Sequence, residues 1–268
     1  MIEHYSYRER IDRALFKAKD LIKSYENKKV TVRQKGHDGP VTDLDEALNS
    51  LLFDELPNKD EGWLSEESLE TGDRFNKSHV WIVDPIDGTH QFIRGRAEWA
   101  VSIALSENGT AIEGAIFNPW AQQMFNRNEQ GAVQLNNKPT HITDKKSLET
   151  VTVLVSKGEL RWGNLDHLRN LPIELNPVGS IAYRLALVAA GYSDATISLE
   201  PKNEWDVAAG TLLIQAAGGT VTDLNGENLV FNKKNTLLNG IIAAGNNTHQ
   251  NLLEEIRKPR SNIWVPFN

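Results

Sequence analysis

The run Trp81-Ile82-Val83 is apolar and rich in β-branched residues, and it opens directly onto Asp84-Pro85-Ile86-Asp87-Gly88-Thr89. Its first part reads as a strand. Pro85 has no N–H to give to a sheet and its φ is fixed, so the pattern predicts that the strand stops there. Gly88 permits a tight bend, and Thr89 is placed to open a helix through His90, Gln91, Phe92 and Ile93. Two carboxylates at a strand end, beside the free N–H groups of a helix N-terminus, can hold a hard cation next to an oxyanion. The same residues also read as turn formers, with Thr89 as a simple cap. The rest of the chain bears on the choice.

With 268 residues the chain can bury a large core, as one domain or two closely packed halves. Apolar content of 40 %, charged content of 24 % and a mean hydropathy of −0.44 fit a soluble globular protein. No apolar run approaches the roughly 20 residues of a membrane helix, and Met1 to Tyr5 shows no secretory signal pattern. Zero cysteines exclude disulfides, thiolate metal sites and a cysteine nucleophile, in keeping with an expected cytoplasmic location. A net charge of −7 argues against broad nucleic-acid binding, and no membrane association is expected. An anionic substrate would then need a cation beside it, which bound metal supplies.

Apolar residues from Tyr7 to Tyr25 recur at helical spacing over residues 6–26. Val30–Val32 reads as a short strand, Gly36, Gly39 and Pro40 as a loop, and Thr42 or Asp43 as the cap of a second helix with Leu44, Leu48, Leu51 and Leu52 inward. Antiparallel strands are expected at 99–105, 111–117 and 123–126. The second half alternates: strand 151–156, helix 180–190 closed by Gly191, strand 194–199, helix 206–217, strands 220–223 and 240–244, helix 247–256. The division is an α+β half over 1–145 and an α/β half over 146–268, with no repeat or linker between them.

Three acidic features stand apart in the sequence: Glu66-Glu67 within Leu64-Ser65-Glu66-Glu67-Ser68, the Asp84/Asp87/Thr89 strand end, and Asp206 within Trp205-Asp206-Val207-Ala208-Ala209-Gly210. Taken singly, Glu66-Glu67 reads as a solvated pair and Asp206 as a helix cap. Together they supply four carboxylates and a hydroxyl, the all-oxygen set suited to Mg²⁺.

The segment WIVDPIDGTHQF at 81–92, with SEES at 65–68, WDVAAG at 205–210, PVTDLD at 40–45 and VGS at 178–180, resembles the inositol monophosphatase superfamily over nearly the whole chain. The resemblance implies a layered α/β/α/β/α sandwich and a Mg²⁺-dependent, lithium-sensitive phosphate monoesterase holding two to three ions. It places Glu66, Asp84 and the Ile86 carbonyl on the first ion, Asp84, Asp87 and Asp206 on the second, and Glu66 again on a weaker third. Thr89 paired with Asp45 would orient and deprotonate the attacking water, and the Gly88 and Thr89 amides would hold the phosphate. Relatives are commonly homodimers, and the same state is expected here.

Two branches of that superfamily differ in substrate. Inositol enzymes usually read DGTTNF, whereas Asp87-Gly88-Thr89-His90-Gln91-Phe92-Ile93 is closer to the DGTKEFI of CysQ-like nucleotidases, which remove the 3′-phosphate of adenosine 3′,5′-bisphosphate or its sulfated precursor. The sugar-binding glutamate of the inositol branch would fall at Leu199, with Glu200 one place later. A second phosphate would call on Lys202 and Arg184, which otherwise read as surface or salt-bridged residues, with Gly179 and Ser180 completing the substrate side. Inositol-1-monophosphatase is the alternative; fructose-1,6-bisphosphatase activity and a metal-retaining, RNA-related regulatory module are further ones. Trp63, Trp81, Trp99 and Trp205 read as core flanks of the motifs. Trp162 with Arg161, His167 and Arg169 falls in a loop or helix with no assigned role.

Overall fold

The computed structural model describes residues 5–26, 28–35 and 39–258; Gly36, expected in the loop before Pro40, lies outside them. Helix α1 (Tyr7–Tyr25) begins at a reciprocal cap in which Ser6 Oγ accepts the Glu9 N–H and the Glu9 carboxylate accepts the Ser6 N–H. Strand β1 (Val32–Gln34), two residues later than expected and exposed throughout, pairs antiparallel with β2 (Pro40–Thr42). Thr42 then caps α2 (Asp43–Glu55), which buries Leu44, Leu48 and Leu52.

A seven-stranded sheet follows in chain order: β3 (Gly62–Ser65), β4 (His79–Asp87), β5 (Ala100–Glu107), β6 (Thr110–Asn118), β7 (Gln123–Arg127), β8 (Val133–Leu135) and β9 (Lys138–Pro139). Only β3 and β4 run parallel. The strand does not stop at Pro85, as the sequence pattern suggests. β4 continues to Asp87 through a bulge: Asp84 pairs with Ser102 and Asp87 with Ala100, so one extra residue sits on the β4 side. The bulge is where a missing N–H does least harm to the ladder, which is how Pro85 is accommodated. Helix α3 (Thr89–Ile93) comes next, as expected from Thr89.

The second half contains β10 (Val151–Val155), α4 (Lys157–Arg161), β11 (Ile173–Pro177), α5 (Ile181–Ala189), β12 (Ala195–Ser198), β13 (Lys202–Asn203), α6 (Glu204–Ala216), β14 (Thr220–Thr222), β15 (Leu237–Leu238), β16 (Ile241–Ala244) and α7 (Asn246–Arg257). A five-stranded sheet has the order β11-β10-β12-β16-β14, with β13 and β15 forming a small separate ribbon. Strand β11, with half-exposed residues and no run of buried apolar side chains, carries too weak a pattern to be read from sequence.

Three apolar cores define the layers. Leu15, Leu48, Trp81, Val83 and Leu105 join α1 and α2 to one face of the large sheet. Ile82, Ala104 and Ile116 on its other face pack with Leu185, Ala186, Ala209 and Leu213 of α5 and α6. Val153, Ile197 and Ile242 of the five-stranded sheet meet Leu165, Leu168, Leu252 and Ile256 on its outer side. The result is the α/β/α/β/α sandwich. Trp81 and Trp99 are core side chains, as expected, whereas Trp63 and Trp205 are only partly buried.

The central helix pair is tightly apposed. A Cβ on Gly210 of α6 would lie 2.4 Å from the Leu185 Cβ of α5, far inside contact distance. Gly210→Ala should therefore destabilise the fold by about 1–3 kcal/mol through overpacking. Urea unfolding checks this, and an unchanged midpoint would mean that the helix pair has slack.

Candidate active site

The parallel β3–β4 pair explains how distant acidic residues converge. Ser65 pairs with Val83, and the Glu66 N–H donates to the Val83 carbonyl at 3.3 Å, so Glu66 leaves β3 beside Asp84 on β4. The bulge presents Asp84 and Asp87 at the same edge. Asp84 Oδ1 accepts the Ile86 N–H at 2.9 Å, which fixes its rotamer. Asp206 arrives from the other half on the first turn of α6, two residues inside a helix that starts at Glu204 and not at Asp206. It is not the cap: its Oδ2 accepts the N–H of Asn203, the capping residue, at 2.8 Å. The fully buried Ser102, opposite Asp84, donates its hydroxyl to the Trp205 carbonyl at 3.2 Å and straps this turn to β5. Ligand oxygens of Asp84, Asp87 and Asp206 lie within 4.8 Å of one another.

This clustering has an electrostatic cost. Burial, and then the charges of Glu66, Asp87 and Asp206, hold the Asp84 carboxyl well above the usual carboxylate range. Burial followed by Asp87 and Glu66 does the same to Asp206. Asp87 is raised by burial, opposed by the Ser180 hydroxyl and the Ala182 N–H, which donate to its Oδ2 at 2.7 and 2.6 Å. Glu66 is pushed up to about 7 by burial, against the pull of Lys35. Lys35 bonds Glu66 at 3.2 Å and Glu67 at 2.6 Å, so the acidic pair is not simply solvated. Asp84, Asp87 and Asp206, with the Ile86 carbonyl in the same cleft, form an oxygen donor set that fits a hard divalent cation, while Glu66 beside them is engaged by Lys35.

On the α2 side, Asp45 Oδ2 accepts the Thr42 N–H at 2.9 Å and also bonds the Thr42 hydroxyl, while Asp45 Oδ1 lies 3.2 Å from Thr89 Oγ1. The Thr89 hydroxyl has one proton and two acceptors in reach, Asp45 and the Ile86 carbonyl at 3.0 Å. Burial lifts Asp45 to about 6, against its bonds to Thr42. Gly88 precedes this turn at φ +96°, and a Cβ there would lie 3.0 Å from the Glu98 carbonyl, so the position requires glycine.

Every residue proposed from sequence lines one cleft of about 880 Å³, except Asp45, which stands behind Thr89. Gly179 and Ser180 are engaged with protein groups: the Gly179 N–H donates to Glu98 Oε2 at 3.1 Å, and Ser180, at φ +42°, caps α5 while holding Asp87. Arg184 is neither a surface residue nor part of an ion pair. It is 2 % exposed, donates to the Ile197 carbonyl at 3.1 Å, and its Nε has no hydrogen-bond partner. Among the described residues no carboxylate lies within ion-pair distance of it. Lys202 is half-buried, 3.9 Å from Glu200. Arg161 and the exposed Trp162 also line the cleft. Sequence reasoning missed Lys35, Glu98 and Ser102. Their roles depend on pairing across the fold, and no local pattern marks them.

Fold and cleft together describe a layered α/β protein with an acidic, cation-ready centre. The model of the inositol monophosphatase family matches residues 6–263. An inositol-1-monophosphatase of Mesorhizobium japonicum is 34 % identical over 241 residues, covering 86 % of this chain and 87 % of that protein. The Nus factor SuhB of Xylella fastidiosa is 33 % identical, covering 73 % of each. The crystal structure of the extragenic suppressor protein suhB from Bartonella henselae superposes with a TM-score of 0.81 at 30 % identity, over 94 % of this chain and 98 % of that one. The chain belongs to the inositol monophosphatase family, a family of phosphate-monoester hydrolases. Among the described residues no helix is long and apolar enough to cross a membrane.

The raised carboxyls give a signed expectation. Without metal, Glu66 favours its protonated form in the fold, so the stability it contributes is full below pH 4.5 and is lost as pH climbs through about 7. A bound cation reverses this by favouring the charged form. Mg²⁺ at ten times its dissociation constant should therefore add about 1.4 kcal/mol at pH 8, a rise in Tm of a few degrees, and much less at pH 5. Asp84→Asn should raise the metal-free Tm and abolish the Mg²⁺ response. Thermal scans at both pH values check this, and a Tm indifferent to Mg²⁺ at pH 8 would argue against a formed cation site.

Proposed function

We propose that this protein is a Mg²⁺-dependent phosphatase whose substrate is a small phosphate monoester bearing a second anionic group, adenosine 3′,5′-bisphosphate or its sulfated precursor being the representative. The observation that carries the choice is Arg184: a buried guanidinium lining the same cleft as the acidic centre, with an unbonded Nε and, among the described residues, no carboxylate within ion-pair distance. Its charge is supported from further off by Glu159, Asp87 and Glu200. Burying such a charge is costly unless an anion comes to meet it. Lys202, Arg161 and the exposed face of Trp162 border the same space and suit a phosphorylated nucleoside.

In this reading Glu66, Asp84, Asp87, Asp206 and the Ile86 carbonyl would hold the metal. When bound, the cations neutralise phosphoryl oxygens and make water acidic enough to attack near neutral pH. Thr89 Oγ1 donates to Asp45 and accepts a hydrogen from the attacking water. The proton passes to Asp45, whose position near 6 suits a base close to neutrality. The Gly88 and Thr89 amides would hold the phosphate, and no covalent nucleophile is needed because phosphoryl transfer depends mainly on positioning and charge neutralisation.

A second reading is inositol-1-monophosphatase. It is favoured by the name of the Mesorhizobium relative and by Glu200, which lines the cleft and could take sugar hydroxyls. The name Nus factor goes with the RNA-related alternative, to which a net charge of −7 is poorly suited. The expected homodimer and cytoplasmic location remain part of the proposal.

Phosphate release with Mg²⁺, comparing adenosine 3′,5′-bisphosphate with inositol 1-phosphate, tests the reading. A kcat/KM ratio above about 100 for the nucleotide is expected, nearly 3 kcal/mol of discrimination. The inverse ratio would select the inositol reading, and turnover of neither would overturn both. Thr89→Ala should lower kcat by about 10²–10⁴ with the fold intact. Asp84→Asn should abolish turnover.

A further inference from the structure

Glu159 on α4 is fully buried, lies outside the acidic centre and has no part in the steps above. Its partners all belong to one short segment. Oε1 accepts the N–H groups of Leu199 at 2.5 Å and Glu200 at 3.0 Å, and Oε2 accepts the Ser198 hydroxyl at 2.9 Å. Ser198 is the last residue of β12 to pair with β16, so Leu199 and Glu200 leave the sheet with no ladder partner for their N–H groups. Glu159 supplies the missing acceptor and fixes the direction in which the chain departs. That chain carries Glu200 and Lys202 into the cleft and leads into α6, which bears Asp206. The carboxylate of Glu159 also acts on the buried Arg184 of α5, opposing the effect of burial on the guanidinium.

A buried carboxylate is an expensive way to brace a loop that an apolar contact could hold, unless the placement of that loop matters. We infer that Glu159 is a positioning residue that sets the selectivity for a second anionic group, by fixing the segment that carries Glu200 and Lys202 beside Arg184. The inference rests on the second-anion reading above.

The test uses the full-length protein with Mg²⁺ and a matched pair of substrates, adenosine 3′,5′-bisphosphate and adenosine 3′-monophosphate, which differ only in the second phosphate. In Glu159→Ala the KM for the bisphosphate should rise about tenfold, the worth of one charge-assisted contact. Its kcat, and both constants for the monophosphate, should stay within about threefold of wild type. Glu159→Gln keeps an oxygen for the two N–H groups and should restore the bisphosphate KM to within about threefold. If Glu159→Ala does not fold, Glu159→Asp, which withdraws the carboxylate by one methylene, should give the same selective rise. Equal effects on both substrates, or a bisphosphate preference retained in the variant, would overturn the role of Glu159 alone. A wild-type enzyme with no preference between the two would overturn the second-anion reading and this inference with it.

Discussion

Like charges in a poorly solvated pocket repel, and at this edge of the large sheet the repulsion is opposed by backbone geometry. The parallel pairing of β3 with β4 sets Glu66 beside Asp84, and the bulge at Pro85 turns Asp84 and Asp87 to one side. Each aspartate then has a backbone or hydroxyl donor on one oxygen: Ile86 for Asp84, Ser180 and Ala182 for Asp87, Asn203 for Asp206. These donors orient the groups but do not cancel their charge, as the raised positions of all three show. The fold holds an arrangement that is unfavourable in itself, and a bound cation would relieve it.

The cleft is divided in charge. Glu66, Asp84, Asp87 and Asp206 line it together with basic residues that include Arg161, Arg184 and Lys202. A sugar monophosphate has one anionic group and would leave these cations without a second anion to meet. A ligand with two anionic groups would bring one phosphate to the aspartate cluster with its cation bound and the other to the guanidinium, so both parts of the site would be neutralised by one molecule.

Much of this was legible in the sequence because the chemistry is concentrated in short segments. WIVDPIDGT reads as strand, turn and helix start, and the helices around Leu15, Leu48 and Leu185 show their period directly. Short segments of this kind contain Glu66, Asp84, Ile86, Asp87 and Asp206, and all five line one cleft. What failed locally did so for physical reasons. The rule that a proline ends its strand does not hold at a bulge, where Pro85 loses no ladder bond. Asp206 lies inside its helix because Asn203 competes successfully for the cap. Lys35, Glu98, Ser102 and Glu159 could not be read at all. Each acts on residues 31 or more positions away, and nothing in its own neighbourhood reveals the partner.

The Ser102–Trp205 strap has a consequence for how the molecule is made. It joins a strand in the first half to the first turn of α6, 103 residues later, and Asp206 is placed only when it closes. Residues 79–107, which form β4 and β5, are synthesised well before residue 205, so Asp84 and Asp87 precede their third carboxylate by more than a hundred residues. At that stage the chain already carries Glu66, Asp84, Ile86 and Asp87, and only Asp206 is still missing from the acidic centre. The acidic centre is thus completed by the second half of the chain, and its three aspartates meet only when the two halves have packed together.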